Sequence, residues 1–280
     1  PDLQGLWTNL SLTRLERPPE LATLVIPDAD AATAERRIAD RVAHPANDVV
    51  GNHESEWWDD AHLGRINGHA RSSWIVSPAD GKLPYTPLGK QRVADLKASV
   101  QSLDNPESRD AMERCLMPSF GAVGPPILNS PYTANYQIVQ TADRVVILAE
   151  VNHEARIIRL NGIHAPAAVR SWTGDSIGHW EGETLVVETT NVLAIASSRM
   201  PSLYISSDAR ITERFTRVSP TEIRYEFAVE DPAIYTQAWR GEEPFRATKG
   251  PIYEFACHEG NYGLEGILAG ARHVEGEPKP

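Results

Sequence analysis

The feature that most restricts the fold is the stretch from Tyr132 to Glu230, where short β-branched and aromatic runs follow one another with few polar residues between them. Tyr136–Gln140, Arg144–Val151 and Ala155–Leu160 come first, parted by turns such as Thr141-Ala142-Asp143 and closed by Asn161-Gly162. Asp175 to Glu183, DSIGHWEGE, is turn-rich, and Thr184–Thr190 is the next strand. Ala209–Val218 and Glu222–Glu230, joined by Ser219-Pro220-Thr221, read as a hairpin, and Ile252–Cys257 reads as the last strand. At least seven such runs in series predict a mainly β chain whose antiparallel meander closes into a barrel or a strongly curled sheet.

The first 131 residues have a different character. Gln4-Gly5-Leu6-Trp7-Thr8 is a short G-x-W element of the kind that opens lipocalin-like barrels, with the indole plugging one end of a core. Ala31–Ala43 is Ala-rich with Ile38 and Val42 four apart, which predicts an amphipathic helix. Thr86-Pro87 begins another helix, with a hydroxyl cap and proline at the first helical position. Its inward positions are Val93, Leu96 and Val100, and Asn105-Pro106 repeats the signal for a short helix to about Met112. Between His44 and Trp74 periodicity disappears while His53, His62, His69, Trp57, Trp58 and several acids accumulate, so this segment is read as a lid or wall over a cavity. Gly121–Pro131 is Pro- and Gly-rich and reads as a connector. A helix- and loop-rich region 1–131 is therefore expected to pack on and cover a barrel of 132–280, as one integrated domain.

A formal net charge of −11 argues against nucleic acid or an anionic membrane surface as partner, since phosphate binding needs clustered Lys and Arg. No apolar run approaches the roughly 18 residues of a membrane span, which leaves a small-molecule substrate or ligand as the expected partner. The chain opens at Pro1 without an initiator Met, and removal of a secretory peptide is the expectation. Cys115 and Cys257 form no CxxC motif and are either a long-range bridge or two buried thiols. A bridge over so long a loop would stabilise by roughly 3–5 kcal/mol and would favour a periplasmic or secreted location.

Side chains alternate across a strand, so parity identifies which polar residues face inward. Ile223, Tyr225, Phe227 and Val229 form the apolar face of one strand; in its hairpin partner the apolar face carries Glu213 between Ile211 and Phe215. A buried Glu needs a partner, and without one its pKa rises toward the range of a general acid or base. His153 shares a face with Ala155 and Ile157, whereas Arg156 shares the opposite face with Ile158 and Leu160, so one of the two points into a cavity. A histidine suits proton transfer; an arginine suits an anion, or is the partner that satisfies Glu213. Parity puts Tyr253, Phe255 and Cys257 inward, so His258 and Glu259 reach the interior only if the chain turns sharply at Gly260.

Other constellations are weaker. Asp175, Ser176 and His179 combine acid, hydroxyl and base, but the serine lacks the G-x-S-x-G elbow. HEGN at residues 258–261 is not HExxH, and no spacing demands that His153, His179 and His258 gather around a metal. There is no GxGxxG after a strand, no P-loop and no CxxCH, so neither a cofactor nor a metal is expected.

The runs QIVQTADRVVILAEVNHEARIIRLNG, GDSIGHWEGETLVVETTN, ITERFTRV and GPIYEFACHEGNYGLEGILAGAR resemble a family of predicted secreted proteins of environmental bacteria, over roughly Asp80 to Arg272. The resemblance implies export, and with it the Cys115–Cys257 bridge; it carries no activity. The Asp28–Trp74 segment departs from the family pattern, which leaves specificity residing there open. The residues themselves suggest a cofactor-independent acid–base enzyme, a lyase, isomerase or hydrolase acting inside the barrel. His153 and His258 would exchange protons, with Glu213 and Glu259 as further acids, Arg156 holding an anionic group and Tyr225 donating to an oxyanion. The alternative is a lipocalin-like binding protein for an apolar small molecule.

Overall fold

The computed structural model describes residues 1–43, 62–99, 102–117, 123–197 and 203–276. In chain order the elements are β1 (Gly5–Thr8), β2 (Val25–Ile26), α1 (Asp28–Ala43), β3 (Arg65–Ile66), β4 (His69–Arg71), β5 (Ile75–Ser77) and α2 (Pro87–Ser99). There follow β6 (Asn135–Gln140), β7 (Arg144–Ala149), β8 (Ala155–Leu160), β9 (Asp175–Glu181), β10 (Thr184–Thr190), β11 (Ile195–Ser197), β12 (Leu203–Ile205), β13 (Arg210–Ser219), β14 (Glu222–Glu230), β15 (Trp239–Ala247) and α3 (Tyr262–Gly276).

The main sheet runs β1-β6-β7-β8-β9-β10-β13-β14-β15, and β1 pairs back onto β15, which closes a nine-stranded barrel. β5 adds to β15 as a tenth strand. The N-terminal region is thus part of the wall. All neighbours are antiparallel except β8 and β9, whose pairing of Ile158 with Ser176 is parallel. That pair needs a crossover, which residues 161–174 supply by carrying the chain back along the barrel. The barrel is therefore mixed, where the sequence predicts a pure meander.

Alternation holds on most strands. β14 buries Ile223, Tyr225, Phe227 and Val229, and β8 buries Arg156 and Ile158 while Ile157 is 52% exposed. The inward aromatic residues form one stack: Tyr225 lies 4.8 Å from Phe215 and 5.5 Å from Phe245, and Tyr136 lies 5.2 Å from Phe245. Trp7, Trp74 and Trp239 are among the largest fully buried side chains. The interior is filled by side chains, as small barrels usually are.

The connector turns inward. Val123 to Leu128 are all buried, and a Cβ on Gly124 would sit 2.7 Å from Ile127 N and 3.0 Å from Arg156 Nη1. Glycine is required there by this approach and by a positive φ of 72°. α2 starts as expected, with Thr86 Oγ1 accepting the Gly89 N–H at 3.0 Å.

The expected last strand at Ile252–Cys257 does not form. Its residues run as irregular chain with Tyr253 66% exposed, then turn into α3. β15 occupies the place in the wall that this run was expected to take. Cys115 and Cys257 are joined by a disulfide. Beside the barrel, β2, β4 and β3 make a small sheet against which α1 packs, around a second core of Leu12, Ile26, Ala31, Leu63 and Ala70. His53, Trp57 and Trp58 of the expected lid lie outside the described residues.

Candidate functional site

Three of the expected site residues meet inside the barrel. Arg156, from β8, donates through Nη1 to Glu213 Oε1 at 2.9 Å and through Nη2 to Glu213 Oε2. Its remaining N–H groups go to Ser176 Oγ at 3.0 Å, Val123 O at 3.1 Å and Thr189 Oγ1 at 3.0 Å. Tyr225 OH donates to Glu213 Oε1 at 2.8 Å and accepts the Ile127 N–H at 2.8 Å. All five guanidinium donors are therefore used, and both carboxylate oxygens are paired.

The charges are settled by this arrangement. Burial alone would lower the Arg156 pKa, but the Glu213 charge and its hydrogen bonds outweigh that and raise it. Burial, reinforced by Glu213, pushes the Tyr225 phenol well above its ordinary value, so it stays a donor. The network is closed on itself, with the connector as its lid.

A second buried acid is treated differently. Glu243, on β15, is fully buried, and its one side-chain hydrogen bond comes from Asn9 Nδ2 to Oε2 at 3.1 Å. Its Oε1 has no partner among the described residues, nor have Asn9 Oδ1 and Tyr136 OH. Burial pushes the carboxyl well above its ordinary value, only partly offset by Asn9 and the Asn129 backbone, and among the described residues no cation contributes. Burial thus favours the neutral form of Glu243. The sequence reading missed it because β15 was not read as a strand; the signal was the inward parity of Trp239, Gly241, Glu243 and Phe245.

The remaining expected residues lie outside. His153 is exposed in a turn, its Nε2 3.2 Å from Tyr253 O and 3.4 Å from Phe255 N, so the ring pins the C-terminal segment to the barrel. His258 and Glu259 are exposed in the turn before α3. That turn is held from outside, by the disulfide and by Asn261 Nδ2 donating to Glu113 O at 2.7 Å. The inward turn at Gly260 does not occur, and the structure brings neither His258 nor Glu259 to His153 or Glu213.

Asp175, Ser176 and His179 separate by strand parity: Ser176 faces in toward Arg156, whereas His179 faces out to Glu181. Asp175 accepts from Arg159 at 2.6 Å and pairs with His164 at 2.9 Å, in an exterior ladder that continues to Glu188. Among the described residues no group of three or more His, Cys, Asp or Glu side chains could hold a metal ion.

An open cavity lies elsewhere, between α1 and the small sheet. It has a volume of about 390 Å³ and a mostly aliphatic floor that includes Leu12, Ile26, Ala34, Ile38 and Leu63. Arg14, Arg37 and Arg41 also line it. Ala34, Arg37, Ile38 and Arg41 are spaced i, i+3, i+4, i+7 on α1, so one helix face presents both apolar and cationic groups. Among the described residues none of the three arginines has a side-chain hydrogen bond or ion pair. Arg14 is half-buried, and burial, followed by the charge of Arg41, lowers its pKa. The sequence predicts the helix, but nothing in it places Arg14 opposite.

These observations define a closed mixed β-barrel with a filled interior, in which the Arg156–Glu213–Tyr225 network is fully paired and Glu243 is not, and a cleft lined by three arginines on its flank. No family model, curated protein or solved structure matches the chain.

Proposed function

We propose that this chain is a small-molecule binding protein whose ligand sits in the cleft beside α1, outside the barrel. The observation that carries this is the cavity of about 390 Å³, within the range of about 300–1,000 Å³ usual for small-ligand sites, on an aliphatic floor with polar groups at fixed positions. A ligand inside the barrel would have to displace the indoles and phenols that fill it. Acid–base catalysis there would draw on Arg156, Glu213 and Tyr225, whose donors and acceptors are already committed to one another, with His153 and His258 on the outer surface. The Cys115–Cys257 disulfide, together with the resemblance to exported bacterial proteins, supports a periplasmic or secreted location.

Ala34→Phe tests the reading by filling the cleft from the helix side. Saturable uptake of the neutral fluorophore N-phenyl-1-naphthylamine by the full chain should be lost in this variant, while far-UV circular dichroism stays that of the parent. Undiminished uptake would overturn it.

A further inference from the structure

Resting on the reading that the cleft binds a small molecule, we propose that its ligand is an organic monoanion with a compact apolar body. The carboxylate or sulfonate group would be taken by Arg14 and Arg41, and the body by the floor of Leu12, Ile26, Ile38 and Leu63. Three features converge on this class.

The first is charge. Arg14, Arg37 and Arg41 share the lining of the cleft with two acids, Glu20 and Asp30, which leaves an excess of one positive charge. Both acids are exposed and well hydrated, whereas Arg14 is half-buried. One negative charge would neutralise the cleft; two would meet the acids.

The second is the state of the guanidiniums. A half-buried guanidinium is normally paired with a carboxylate, and among the described residues Arg14 has only the through-space attraction of Glu20. Burial and then the neighbouring Arg41 act against the Arg14 charge and Glu20 offsets them only in part, so an anion between the two arginines would relieve the remainder. Arginine also binds carboxylate and sulfonate oxygens through two parallel N–H groups, which fixes orientation as well as charge.

The third is shape. The volume lies near the lower end of the small-ligand range, so the body is a ring system or short chain and not a long acyl tail.

The experiment compares two probes that share one body, 8-anilinonaphthalene-1-sulfonate and N-phenyl-1-naphthylamine, by fluorescence titration of the full disulfide-bonded chain. The sulfonate should bind about tenfold more tightly than the neutral amine, the worth of one charge-assisted contact, with the advantage shrinking as sodium chloride is raised. Arg14→Gln and Arg41→Gln should each remove that advantage and leave the neutral probe within about twofold of the parent. Arg41 is exposed, so its variant keeps the test valid if Arg14→Gln folds poorly. Equal binding of the two probes to the parent, or an equal loss of both in Arg41→Gln, would overturn the anion class while leaving the cleft as a site. Uptake of both probes that survives Ala34→Phe would remove the site itself.

Discussion

Arg156 and Arg14 are both drawn away from solvent in the same chain and are provided for in opposite ways. In the barrel, every N–H of Arg156 is met by Glu213, Ser176, Thr189 or Val123, and the carboxylate is completed by Tyr225. In the cleft, Arg14 feels the charge of Arg41 and, less strongly, that of Glu20, with no counter-ion at hydrogen-bond distance among the described residues. A satisfied buried pair holds a structure together and has nothing left to offer a ligand. Unpaired donors beside a cavity are the reverse. Inward polar residues picked out by strand parity are thus a guide to the architecture of this barrel, and the site has to be sought where polar groups remain uncommitted.

The comparison can be broken from the barrel side first. Glu213→Ala should cost about 3–5 kcal/mol in urea unfolding, because it strands a buried guanidinium, and the double change Arg156→Met with Glu213→Leu should recover most of that loss. If Glu213→Ala were nearly neutral, the network would not be the structural member described here. Cys257→Ser comes next, at about 2–4 kcal/mol, and the same denaturation curves would read it.

Glu243→Gln tests the acid that has no cation. Because the folded-state pKa of Glu243 is raised, its stabilising contribution is complete below the ordinary carboxyl range and is lost as pH climbs toward the raised value. The variant carries no such dependence. Its unfolding free energy should match the parent's near pH 4 and exceed it at neutral pH, by an amount on the order of 1–3 kcal/mol. A parent that does not weaken relative to the variant as pH rises would place a cation at Glu243 after all. Smallest of all, Arg14→Gln should shift stability by less than about 0.5 kcal/mol while altering binding of the anionic probe. That near-silence is the sharpest contrast with Glu213→Ala.

Much of the wall is legible in the chain. The runs that became β6, β7, β8 and β14 alternate cleanly, as does most of β13, and Arg156 with Glu213 could be named as a pair because parity put both among apolar residues. β9 and β15 are illegible for a shared reason: their inward positions include glycines forced by packing. A Cβ on Gly178 would sit 2.8 Å from Ile158 Cγ2, and one on Gly241 would sit 2.3 Å from Phe227 Cζ, so small residues stand where a hydrophobic pattern expects large ones. Pro244 adds to the disguise in β15, where it falls between the stretches that pair with β5 and β1. Conversely, Ile252–Cys257 has the composition of a strand, but no edge of the closed barrel is free to receive it. α3 was hidden by its glycines at 263, 266 and 270, each of which lowers helix propensity. For the cleft, the helix face was visible and the approach of Arg14 was not, since that is a tertiary fact written in neither segment alone.

The seam of the barrel joins the two ends of the sequence, with Trp7 set against Tyr136 on one side and Ala247 on the other. During synthesis β1 must therefore wait until β15 has been made before its second neighbour exists. At about 5–20 residues per second that delay is on the order of tens of seconds, and throughout it β1 keeps one unpaired edge. Contacts so distant in sequence also come late in refolding, because the loop they close is long. The seam is accordingly the step at which one copy is most open to pairing with another, and the short length of β1, four residues, limits how much edge is offered in the meantime.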